Sequence, residues 1–220
     1  MNALRKHITT GIMAVLGCLS LTAGALAQNT WFPLLTAPGD VQMELIGEVI
    51  NSAAGVSPAT SLQFGYISRI NGIDNVFTGT PQNETTAIYT FVTHATTIRR
   101  TVHGPLVILA REGTTTIYCN NAPKGDFANP DSFSAGTAIQ FSTYRQQSVT
   151  NTVTNSFTTT HVNTITSVEN CTDSAGEVHR LGWAGQTWRT TLTGQLNTVT
   201  PPAPPTGWFA GAVAGLLSIR

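Results

Sequence analysis

The chain is 220 residues long, 41% hydrophobic and 10% charged, with 11 basic and 11 acidic side chains and a formal net charge of zero. That balance gives no electrostatic case for binding nucleic acid. The length suits one large domain with a real hydrophobic core.

The first segment reads as a secretory signal peptide. Arg5 and Lys6 precede an apolar run from Gly11 to Leu21, and Ala25-Leu26-Ala27 offers a small-residue cleavage site before Gln28. The apolar run is well short of the roughly 20 residues a membrane span needs. The expected organisation is therefore a signal peptide at 1–27, an antiparallel β domain at 28–200, and a Pro-rich linker with an apolar C-terminal tail at 201–220. Beyond residue 27 two cysteines remain, Cys119 and Cys171, and in an exported chain they are expected to form one disulfide. The expected location is periplasmic, extracellular or at the cell surface.

From residue 41 onward, apolar and polar residues alternate, the signature of half-buried strands. VQMELIGEVI puts Val41, Met43, Leu45 and Val49 on one face; SLQFGYISRI puts Leu62, Phe64, Tyr66 and Ile70 on one face. Asn71-Gly72 is a strong hairpin signal and predicts a return strand in IDNVFT. Further strands are expected at 85–94, 98–103, 105–111 and 114–119, with Gly104-Pro105 and Glu112-Gly113 as turns. After a long loop at 120–136 come 137–147, 150–166, 178–183 and 186–199. Many short strands with tight links and no helical segment predict an all-β meander closed into a single barrel, since closure removes exposed edges. A two-sheet β-sandwich is the runner-up.

The stretch TNTVTNSFTTTHVNTIT at 150–166 sorts its side chains by parity, with threonines or serine at nearly every even position. Threonine is β-branched and suits a pleated surface, so the stretch reads as strand with its threonines toward water. The odd parity traces back through Val149, Phe141 and Ile139. One straight strand over that span would measure about 90 Å, so the segment must turn, and preserved parity predicts an odd-length loop or a bulge near Asn151 or Asn155.

The odd face carries Arg145, Asn151, Asn155, His161 and Asn163 among Val153, Phe157 and Ile165. If it looks inward, these five are the candidate ligand-binding residues, held in a hydrogen-bond network or around a wet cavity. If they sit at strand ends, they simply meet solvent. No catalytic motif emerges: H-E-x-x-H, G-x-S-x-G, S-x-x-K and phosphate-binding glycine loops are missing from the sequence. No cofactor is expected, and no metal site, because neither the cysteines nor the histidines have ligand spacing. Asp126, Asn129 and Asp131 in the long loop do not match a calcium loop.

In the tail, Trp208 to Ile219 would make a helix too short to cross about 30 Å of hydrocarbon. It is expected to dock on the domain or to make whatever membrane contact the chain has. The primary expectation for function is a secreted or periplasmic barrel that binds a small or apolar molecule inside, without covalent catalysis. The alternatives are a cell-envelope structural or interaction module, and a barrel-type cyclase or isomerase using Arg145 and His161.

Overall fold

The computed structural model describes residues 40–173, 176–200 and 202–216, so the expected signal peptide lies outside the described residues. Eight long strands are β1 (Val41–Asn51), β2 (Thr60–Ile70), β3 (Tyr89–His103), β4 (Leu106–Cys119), β5 (Thr137–Asn151), β6 (Ser156–Val168), β9 (Thr187–Leu196) and β10 (Thr206–Leu216). The two-residue strands β7 (Cys171–Thr172) and β8 (Val178–His179) form a small hairpin between β6 and β9. Each long strand pairs antiparallel with the next, and β10 returns to β1, so the meander closes in the order β1-β10-β9-β6-β5-β4-β3-β2. Closure leaves no free sheet edge along the paired length and rules out the sandwich.

The segment read from sequence as an apolar tail supplies the closing strand. Its alternation is hidden because its outward positions are Ala210, Ala212 and Ala214, opposite inward Phe209 and Val213. Glycines let large rings lie across the wall. A Cβ at Gly47 would strike the Phe209 ring, and one at Gly194 would strike Phe157. Each ring thus occupies lumen space that a side chain opposite would have taken.

Two apolar clusters hold the fold. The larger fills the lumen at the end bearing the disulfide, with Met43, Ile67, Ile117, Ile139, Ile165 and Trp188 all buried. The smaller lies on the outside, where the loop at 120–136 folds back over the outward face of β2. Phe133, from a 3₁₀ turn at Pro130–Ser134, packs 5.4 Å from Phe64, and Phe127 packs 5.1 Å from Trp208. Thr90 Oγ1 donates to the Phe133 carbonyl at 2.6 Å and ties the loop to β3. Elsewhere the outer wall is mixed: Thr143, Arg145, Thr158, Arg189, Thr191 and Thr193 are exposed there, and so is Phe141. The Cys119–Cys171 disulfide, with Cα atoms 6.0 Å apart, fastens the end of β4 to the β7–β8 hairpin.

Several local expectations are corrected. IDNVFT is not a strand; it makes two isolated bridges, Ile70–Ile73 and Phe77–Ala87, and β2 pairs with β3. The pieces at 85–94 and 98–103 merge into β3, with a register shift from Thr97 to Arg99 between the two expected strands. Likewise 105–111 and 114–119 are one strand, β4. Gly113 is there because a Cβ would collide with the His94 carbonyl across the pair, and it makes no turn.

Strict alternation does not hold through β5. Ile139 and Gln140 are both fully buried although adjacent, and register shifts flank them. This bulge switches the inward face, so Ser142, Tyr144, Gln146 and Ser148 point inside. The connection from Asn151 to Ser156 spans four residues and swaps parity again, with Asn155 at φ 54°. On β6 the odd face is inward as expected: Phe157, His161, Asn163 and Ile165 are buried, and Thr158 and Thr166 are exposed. Val153, at the hairpin tip, is 80% exposed.

Candidate functional site

Above the apolar end, the lumen carries a polar layer built from three strands, β2, β5 and β6. Gln63 on β2 donates from Nε2 to Tyr144 Oη at 3.0 Å and to Gln146 Oε1 at 3.3 Å. The Tyr144 hydroxyl donates to Gln146 Oε1 at 2.5 Å and lies 3.4 Å from His161 Nε2, whose ring meets the phenol edge-on at 4.8 Å. Thr159 donates to Ser148 at 2.9 Å, and Asn163 donates to Ser142 at 3.0 Å. Such a layer is stable only when its members satisfy one another, because each would otherwise be a desolvated orphan.

The environment fixes the charge state of the layer. Burial, helped by the charge of Arg111, pulls the His161 pKa down from 6.5 to about 3, so the imidazole is neutral. Burial pushes the Tyr144 phenol well above its ordinary value, against the opposing pull of the Gln63 hydrogen bond and the Arg111 charge. The layer is therefore uncharged at neutral pH. A cavity of about 40 Å³ adjoins His161 and Asn163.

On the other side of the layer lies a larger cavity of about 410 Å³. Its walls are Val49, Val107, Leu109, Phe157, Leu192 and Phe209; its floor is Gln63, Gln146, Ser148 and Thr159. Exposed Ala54, Thr60, Arg100 and Thr152 rim its mouth. An apolar chamber with a few converging polar groups is the usual form of a small-molecule site.

Arg111, only 7% exposed, sits in the wall of this chamber. Its Nε donates to Thr97 Oγ1 at 3.2 Å and its Nη2 to Asn51 Oδ1 at 2.7 Å. Both partners are neutral. Burial lowers its pKa from the ordinary value, the effect of a cation drawn out of water.

Of the five candidates read from sequence, the structure brings His161 and Asn163 together inside the barrel, and both line the smaller cavity. Arg145 is exposed on the outer wall, because the bulge turned β5 over; it belongs to no lumen site, and the cyclase reading loses one of its two groups. Asn151 and Asn155 serve the β5–β6 turn. Asn151 Oδ1 accepts from the Val153 amide at 2.9 Å, and the Asn155 carbonyl accepts from the Leu196 amide at 2.8 Å.

Sequence reasoning missed Arg111, Gln63, Gln146 and Asn51. A signal for Arg111 was present, since alternation through Val107 and Leu109 places it on the same face. The Glu112-Gly113 pair, read as a turn, made it look like a strand end.

Asp173, Glu177 and His179 come together at the β7–β8 hairpin but do not line either cavity. Asp173 is already engaged there: Oδ1 accepts from the Glu177 amide at 2.8 Å and Oδ2 lies 3.1 Å from His179 Nε2. Comparison of the chain with protein-family models, curated proteins and solved structures finds no match.

Proposed function

We propose that this is an exported binding barrel that takes a small, largely apolar molecule into its lumen without covalent chemistry. The observation that carries the reading is the 410 Å³ chamber, apolar in its walls and polar in its floor, at one end of a closed barrel. A core packed throughout for stability alone would have filled this space, because interiors are normally as dense as organic crystals. The polar floor of the chamber is uncharged and its members bond one another, Thr159 donating to Ser148 and Tyr144 to Gln146, which supports holding a molecule over reacting with it. The Cys119–Cys171 bridge fits an oxidising compartment, in keeping with the leader expected at 1–27.

Methyl and aromatic NMR signals followed during titration with decan-1-ol test the reading. Shifts are expected at Val107, Leu109, Phe157 and Leu192. Leu109→Trp, which fills the chamber, should abolish them while leaving the barrel folded. Shifts confined to the outer wall would overturn the reading.

A further inference from the structure

The chamber is not electrically neutral. Arg111 and Arg100 both border it, and among the described residues no aspartate or glutamate lines it. Arg111 is the deeper of the two, buried where Arg100 is exposed at the mouth. A buried arginine is ordinarily paired with a carboxylate, since desolvating an unpaired charge is costly. Here no carboxylate lies within 4 Å of it among the described residues; its hydrogen bonds go to the neutral oxygens of Thr97 and Asn51. Those two bonds use the Nε hydrogen and one hydrogen of Nη2. Both hydrogens of Nη1 and the second of Nη2 have no partner among the described residues, and they belong to the planar fork that matches a carboxylate.

The neighbours hold this fork in place. Thr97 on β3 and Asn51 at the end of β1 grip it from two directions, so little side-chain freedom remains to be lost when a ligand arrives. Gln146, directly opposite Arg111 on β5, lines the same chamber, but its Oε1 already accepts from Tyr144 and Gln63. It therefore supplies no counter-charge.

We propose that the ligand of the chamber is an organic monoanion, a carboxylate on an apolar body, with its head on Arg111 and its body against Val107, Leu109 and Phe157. This rests on the reading of the chamber as a binding site and adds the chemical class of what it takes. Arg100 at the mouth provides a positive approach for an anion and a barrier to a cation.

Calorimetric titration at pH 8 with decanoate and decan-1-ol, which differ in their head group, separates the two levels of the proposal. Decanoate is expected to bind the wild-type protein at least about tenfold more tightly than decan-1-ol, the scale of a hydrogen bond to a charged group. In Arg111→Met the preference should vanish through loss of decanoate affinity, with decan-1-ol bound as before. Arg111→Lys should keep part of the preference, having the charge without the fork. Equal binding of both probes to the wild type would overturn the anion and leave the chamber reading standing. Failure of both to bind would overturn both. A preference for decanoate that survives in a folded Arg111→Met would show that Arg111 is not the anchor. If that variant does not fold, Asn51→Asp in its place puts a carboxylate beside Arg111 and should remove the preference; an unchanged preference there would overturn the anchor equally.

Discussion

The guanidinium of Arg111 on β4 donates from Nη2 to Oδ1 of Asn51 on β1 at 2.7 Å, although β2 and β3 stand between those strands in the barrel wall. The bond is a chord across the lumen. Asn51→Ala removes it and leaves a buried cation with one fewer acceptor. The expected cost is about 1.5–3 kcal/mol of unfolding free energy, read from urea denaturation midpoints; a cost near zero would mean that water replaces the amide.

The polar layer should act as a unit. Tyr144→Phe removes the hydroxyl that Gln63 donates to and that bonds Gln146, leaving both amides short of a partner. A loss of about 1–3 kcal/mol is expected. Gln63→Leu alone should cost a similar amount, and the double variant should cost less than the two summed, because they share one network. Additive losses in a denaturation cycle would contradict the network.

Neutral burial of His161 ties stability to pH. Above pH 6.5 the imidazole is uncharged folded or unfolded, and the linkage is silent. As pH falls below that value the unfolded chain takes up a proton that the folded barrel refuses until about pH 3, so stability drops through this window. By pH 5 the loss from this group should be about 2 kcal/mol. Unfolding measured between pH 7.5 and 5 should show it in the wild type and lack it in His161→Phe.

The loop at 120–136 drew attention from sequence as the longest break in the strand pattern, yet its aromatic side chains make it part of the packing. Phe133 is fully buried against Phe64. Phe133→Ala should cost about 3–5 kcal/mol. It should leave decan-1-ol binding unaltered, since the loop covers the outside of the barrel.

What sequence could say about this molecule follows from the range of each signal. Alternation is local and survives any arrangement of strands, so the all-β class, most strand positions and the inward face of β6 were legible. Barrel closure was argued from short connections, and the strand that completes it was not visible as one, because alanines and glycines in GWFAGAVAGLL erase the polar half of the pattern. The site depended on parity through β5, and parity is lost at a single inserted residue. The bulge at Ile139–Gln140 exchanged Arg145 for Gln146 inside the lumen. Nothing in the side chains there announces a bulge, since its cause is the pairing with β4 and β6 on either side. Arg111 was lost differently: a glycine needed for close strand approach was taken for a turn.

A crystal structure grown with 10-bromodecanoate would locate the ligand of the chamber, since the bromine marks the far end of the molecule by its anomalous signal. The bromine is expected inside the chamber near the apolar walls, with the carboxylate against the free edge of Arg111. Bromine found only on the outer wall, with the lumen empty at saturating ligand, would contradict this placement.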